Sequence, residues 1–186
     1  MNHFKKIAEA LPGAGLDGVL LTGEHNRFYA SGFASMGSDG VALVTTKGNF
    51  YFTDSRYIEA AERQVSDAAI GMTESGKGYI AWLNEALELS GAKRIGFEDE
   101  TMTVAEHRLY SEKLEADLVP ASALMHRLRG QKDAGELEQL YQQIMGRKEF
   151  SYDPQKDAQY QNYEYLYTQR GRDAMEDTMG TAAGLT

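Results

Sequence analysis

"GVALVTTKGNFYFTDSRYIEAA", residues 40–61, packs two β-rich runs and a helix start into one short stretch. The runs GVALVTT (40–46) and NFYFTD (49–54) meet at Lys47-Gly48, a spacing that predicts a tight hairpin. Tyr57, Ala61 and Val65 then recur every four residues with Ile58 beside them, which predicts a helix with one apolar face. The polar Thr-Asp-Ser-Arg-Tyr corner between them, residues 53–57, has two readings. It is a helix cap, with Asp54 or Ser55 as the capping residue and Arg56 and Tyr57 opening the helix. Alternatively it is a contact site, because it sits where a strand ends, and ligands of open α/β sheets gather at strand carboxyl ends. Arginine there suits bidentate recognition of a carboxylate.

Outward from this stretch, strands and helices alternate. A helix over 2–11 stops at Pro12 and Gly13, DGVLLT (17–22) reads as a buried strand, and EHNRFYAS (24–31) reads as a polar connection with a helical turn. AAIGM (68–72), RIGFE (94–98) and DLVPA (117–121) are further short strands. Residues 77–90 form a helix with Ile80, Leu83 and Leu87 on one stripe. Thr103 and Glu106 form a capping box, opening a helix that carries Ala105, Leu109, Tyr110 and Leu114. Asp133 and Glu136 open a last amphipathic helix through Ile144. The alternation predicts an α/β fold, a mixed sheet covered by helices.

From about Gly146 the composition changes: six of the eleven tyrosines lie between 141 and 186. Asp153-Pro154 suits a helix start, and Tyr160, Tyr163 and Tyr167 then share a face. A C-terminal helical extension is expected, giving an α/β domain over 1–131, a linker helix over 132–146 and a Tyr-rich helical tail over 147–186.

Composition narrows the function. The 186 residues are 42% hydrophobic and 25% charged, with a net charge of −9 and scattered Lys and Arg. That balance is globular and disfavours nucleic acid as a partner. The absence of cysteine removes disulfides, thiolate metal sites and a Cys nucleophile. No apolar run approaches the ~20 residues that cross a bilayer, and MNHFKKIAEAL is too polar for a secretory signal. A soluble cytoplasmic protein, bound to no membrane, is expected.

Two glycine patterns mimic phosphate-binding loops. Gly13-x-Gly15-x-x-Gly18 leaves a helix and opens a strand, the reverse of the dinucleotide fingerprint. In the stretch from Gly71 to Gly78, Lys77 is followed by Gly78, where a P-loop needs Ser or Thr for Mg²⁺. The four histidines, His3, His25, His107 and His126, are isolated from one another. No helical metal pair and no Gly-x-Ser-x-Gly elbow is present.

Three blocks resemble the N-terminal domain of the creatinase/prolidase/Xaa-Pro aminopeptidase family. The first, within LDGVLLTGEHNRFYASGF (16–33), supplies an Asn-x-x-Tyr-x-Ser-Gly-Phe run as Asn26, Tyr29, Ser31, Gly32 and Phe33. The second, GNFYFTDSRYIEAA (48–61), supplies a Thr-Asp-Gly-Arg-Tyr corner within Phe52 to Tyr57, with Ser55 in place of the glycine. The third, LVPASALMHRLRGQKDAGELEQL (118–140), supplies Arg129, Lys132 and Asp133 as an Arg-x-x-Lys-Asp linker. Together the blocks span about residues 4–141.

The resemblance implies a three-layer α/β/α domain with a mixed sheet and a ribonuclease H-like motif. It also implies a supporting role. In that family a larger C-terminal "pita-bread" domain supplies two Asp, one His and two Glu that hold two divalent metal ions, Mn, Co or Zn. The N-terminal domain helps form a homodimer and walls the peptide cleft. Residues 142–186 contain no histidine and are too few to build that catalytic domain. The expectation is a chain that lacks it, through truncation or fusion, and is inactive as a peptidase by itself. Asn26, Tyr29, Asp54, Arg56 and Tyr57 are the expected cleft-facing edge. In that edge Arg56 holds a carboxylate of substrate or partner, Asp54 caps the helix and orients Arg56, and the two tyrosines give packing surface. The alternative is a stand-alone assembly module that docks through the Tyr-striped helix.

Overall fold

The computed structural model describes residues 2–37 and 39–131. The expected linker helix and Tyr-rich tail lie outside the described residues. Among those described, six strands form one sheet: β1 (Gly18–Leu21), β2 (Gly40–Thr45), β3 (Asn49–Thr53), β4 (Ala69–Met72), β5 (Arg94–Phe97) and β6 (Asp117–Pro120). Six helices accompany them: α1 (Phe4–Ala10), α2 (Glu24–Ser31), α3 (Ile58–Gln64), α4 (Tyr79–Ser90), α5 (Val104–Lys113) and α6 (Ser122–Gly130). The strand order is β4-β3-β2-β1-β5-β6. β2 is antiparallel to both its neighbours, and every other pairing is parallel. All strands but β2 therefore point their carboxyl ends to one rim.

Side chains alternate across this sheet with period two. Val19, Leu21, Ala42, Val44 and Tyr51 enter one core with Ile7 of α1, Ala30 of α2, Ala61 of α3 and Met125 of α6. Leu20, Val41, Leu43, Phe52 and Ile95 enter the other with Leu83 and Leu87 of α4 and Tyr110 of α5. Both faces are covered, so β1 and β2 are buried at every position and read as unbroken apolar runs. The result is the expected three-layer α/β/α arrangement.

The hairpin forms as the sequence predicts, with β2 and β3 pairing from Gly40↔Thr53 to Val44↔Asn49. Thr45 Oγ1 accepts the N–H of Lys47 and of Gly48 and so closes the connection. Residues 12–14 make a short 3-10 turn that ends at Gly15 with φ 67°. That left-handed backbone favours glycine, so the first glycine pattern serves a helix-to-strand turn.

Four expectations need correction. The segment 24–31 is a complete helix, α2, whose buried residues are Asn26, Arg27, Ala30 and Ser31. Three of those four are polar, so hydrophobic periodicity does not register it. Helix α6, which the alternation did not predict, follows β6 directly and buries Leu124, Met125 and Leu128. In α5 the capping box forms as expected, but Ala105 is exposed and Leu109 is 46% exposed. The helix packs through Tyr110 and the following Leu114 instead. Finally, α3 has Tyr57 at its N-cap with no side-chain cap. Asp54 instead organises the turn that leads into α3: its backbone oxygen accepts from Tyr57 and Ile58, and its Oδ1 accepts the Arg56 N–H. Among the described residues no helix is long and apolar enough to cross a membrane.

Candidate functional site

β1 leads into α2 on one face of the sheet, and β5 leads into α5 on the other. Where adjacent parallel strands send their connections to opposite faces, a crevice opens at their carboxyl ends. A cleft of about 260 Å³ lies there, between the start of α2, the β5–α5 loop and one stripe of α6. The stripe is Ser122, His126 and Arg129, spaced by four and three so that the side chains lie one above another.

At the base of the cleft, Glu98 leaves the end of β5 and is 1% exposed. Its Oε2 accepts the backbone N–H of Thr22 at 2.6 Å and of Gly23 at 2.7 Å, and its Oε1 accepts from Asn26 Nδ2 at 2.7 Å. Asn26 Oδ1 in turn accepts from Arg129 Nη1 at 3.2 Å. Glu98 thus ties β5 to the start of α2, and Asn26 ties α2 to α6. Next to Glu98, Asp99 Oδ1 accepts the N–H groups of Ala121 and Ser122 and so satisfies the start of α6. The Ser122 N–H is the leading reason the Asp99 carboxyl lies below its ordinary range.

The predicted Asp54–Arg56 corner stands at the end of β3. Asp54 Oδ1 accepts the Arg56 backbone N–H at 2.9 Å, and Asp54 Oδ2 accepts from Arg56 Nη2 at 2.6 Å. Asp39, just before β2, accepts from the same Nη2 at 2.7 Å. Two carboxylates of its own chain therefore hold Arg56, which is 63% exposed, and Arg56 is the main reason the Asp54 carboxyl is held low. Tyr79, at the start of α4, is pushed up to about 12 by burial first and then by Asp54 and Asp39.

The five sequence-predicted residues are not gathered in one cleft. Asn26 lines the β1/β5 cleft. Tyr29 stacks on His3 at 4.1 Å and donates its hydroxyl to Leu128 O. Tyr57 packs edge-on to Phe33 at 6.4 Å, close to Arg56 at 5.5 Å. Only Asp54 and Arg56 touch through hydrogen bonds. Lys77 of the second glycine pattern is engaged by Glu85 at 2.6 Å and lies 3.4 Å above the Trp82 ring, so it is not presented to a phosphate.

Sequence reasoning missed Glu98, Asp39 and Arg27. Glu98 carried one usable signal, an acid directly after a buried strand. Arg27 carried none: its guanidinium is 0% exposed and bonds to the carbonyls of Thr22, Ser35 and Gly37, yet in the sequence it resembles any surface arginine. Among the described residues no group of three or more His, Cys, Asp or Glu could hold a metal ion.

Three lowered carboxyls among the described residues set an acid limit. Asp99, Asp54 and also Asp17, whose first cause is the Arg94 N–H, titrate lower in the folded protein than the ~3.9 of an unfolded Asp. Their stabilisation is present above that unfolded value and is lost as pH falls through the lower folded one. Urea midpoints are expected to fall progressively below about pH 4, and Asp99→Asn is expected to make the decline shallower. A midpoint independent of pH between about 5 and 3 would contradict this.

The family model of the creatinase/prolidase N-terminal domain matches residues 4–131. The uncharacterized peptidase YqhT of Bacillus subtilis (strain 168) is 34% identical over 138 residues, which cover 74% of this chain and 38% of that protein. An Xaa-Pro dipeptidase from Bacillus anthracis overlays with a TM-score of 0.64 at 30% identity, over 73% of this chain and 37% of that one. The N-terminal domain of the cytoplasmic peptidase PepQ from Mycobacterium tuberculosis H37Rv overlays with a TM-score of 0.57 at 25% identity, over 68% of this chain and 97% of that one. The chain therefore spans well under half the length of the curated relative it matches. With the three-layer sheet in place and the family match running from the first helix to the end of α6, the chain belongs to the creatinase/prolidase N-terminal domain family.

Proposed function

We propose that this chain is the non-catalytic, supporting domain of a cytoplasmic Xaa-Pro peptidase-like protein, contributing to a homodimer and to one wall of a peptide cleft. The observation that carries this reading is which part of its relatives the chain matches. It covers 97% of the isolated PepQ N-terminal domain but 37% of the Xaa-Pro dipeptidase. The bond-cutting metal pair is assigned to a C-terminal domain. Arg56 Nη1 has no partner among the described residues and is the group left for a carboxylate of substrate or of the partner subunit. Tyr57, 5.5 Å from the Arg56 guanidinium, adds packing surface beside it.

Incubating the purified 186-residue protein with an Xaa-Pro dipeptide and Mn²⁺ or Co²⁺ is expected to release no proline, and sedimentation is expected to give a dimer. Proline release above a protein-free blank would overturn the non-catalytic reading. A monomer at every concentration would overturn the dimerisation.

A further inference from the structure

The β1/β5 cleft carries charges of both signs that the protein does not use up. Arg129 makes one hydrogen bond among the described residues, to the neutral Asn26 amide, and no ion pair. That single bond aims the guanidinium and leaves its other N–H groups open. His25, in the first turn of α2, lines the same cleft and also has no hydrogen bond or ion pair among the described residues. Opposing them, Glu24 Oε2 accepts the Gly37 N–H at 3.1 Å, and Glu100 Oε2 lies 3.2 Å from His126 Nε2. Each of these two carboxylates keeps its second oxygen open. Glu98, by contrast, is spent: both of its oxygens are taken by the start of α2.

This pattern selects a ligand class. A phosphate would find Arg129 but would face three carboxylates, Glu24, Glu98 and Glu100, around the same cleft, and like charges repel. A simple amine would satisfy the carboxylates and leave Arg129 unanswered. A molecule with a carboxylate and an ammonium a few bonds apart answers both, the carboxylate forking onto the guanidinium. At about 260 Å³ the cleft lies just below the roughly 300–1,000 Å³ of drug-sized ligand pockets, which suits an amino acid or a dipeptide and not a nucleotide. We infer that the β1/β5 cleft binds a small zwitterion, an α-amino acid or dipeptide with free ends. Its carboxylate sits on Arg129 and its ammonium between Glu24 and Glu100. The inference requires neither dimerisation nor a catalytic domain.

The test is a titration of the full 186-residue protein with glycylglycine at pH 7, followed by amide ¹H–¹⁵N correlation spectra. Acetate, methylammonium, inorganic phosphate and N-acetylglycylglycinamide serve as comparison probes. Saturable shifts are expected at Gly23, Thr101 and Ser122 with glycylglycine, with a Kd in the millimolar range or tighter, and at least about tenfold weaker binding of every comparison probe. Arg129→Gln, which keeps an amide donor for Asn26, is expected to weaken binding about tenfold or more, and Glu100→Gln to weaken it as well. Unchanged spectra away from the cleft verify that both variants are folded. The inference is overturned by the absence of saturable shifts or by phosphate or the blocked peptide binding as tightly. Affinity unchanged in both folded variants overturns it too. None of these results bears on proline release or on the sedimentation of the dimer, so the function proposed above is judged separately.

Discussion

Arg27→Met is expected to lower the stability of the protein by about 3–5 kcal/mol, read as a drop in the urea midpoint at unchanged slope. Arg27 is the largest fully buried side chain among the described residues. Its guanidinium joins the end of β1, through Thr22 O, to the loop before β2, through Ser35 O at 3.2 Å and Gly37 O at 2.7 Å. It also reaches Ser35 Oγ at 3.3 Å, and that hydroxyl bonds to Tyr51 OH at 2.8 Å. Methionine fills a similar volume but gives these carbonyls no donor, and each unpaired buried polar group costs about 1–3 kcal/mol. Arg27→Lys is expected to recover little, because an ammonium is a point charge and cannot fork to acceptors on two segments. A loss below about 1 kcal/mol in Arg27→Met would mean that water replaces the guanidinium and that the loop does not depend on it.

The second large effect is expected at Glu98. Glu98→Ala removes the acceptor of two backbone N–H groups and of the Asn26 amide at a position only 1% exposed. A loss of about 3–4 kcal/mol follows from leaving three donors unpaired. Glu98→Gln is expected to cost less, about 1–2 kcal/mol, since one amide oxygen still accepts the backbone pair. The fit is tight as well as polar: a Cβ on Gly23 would lie 2.7 Å from Glu98 Oε1. Backbone amide shifts in Glu98→Gln are expected to spread through Gly23 and Asn26 to Arg129. Shifts confined to residue 98 and its chain neighbours would refute the coupling of β5 to α6 through Asn26.

Much of the fold was legible because its signals are local. The Lys47-Gly48 turn marks the hairpin, the Thr103–Glu106 box marks the start of α5, and the Tyr57, Ala61, Val65 spacing marks the inner face of α3. Each depends on residues only a few positions apart. Helix α2 was blurred because it buries Asn26, Arg27 and Ser31, residue types whose pattern reads as exposed. Helix α6 was hidden because it follows β6 with no turn residues between them. The Asp54 corner was found, but its chemistry was misread in part. Its side chain orients Arg56 as expected and accepts the Arg56 N–H in the turn before α3, not an N–H of α3 itself, and Asp39, distant in sequence, joins it only because β2 and β3 pair.

By itself the sequence determined the alternation of strands and helices, the β2–β3 hairpin and the family, since propensity, turn chemistry and motif spacing are all short-range. Tertiary structure alone decided which polar groups go inside and which remain open. Glu98 and Asn26 are 72 residues apart and Asn26 and Arg129 are 103 apart, and they meet because β1 lies beside β5 and the connections diverge to opposite faces. A carboxylate becomes a buried strut, or an arginine an unanswered cation, only when the packed sheet fixes how much water and which partners surround it.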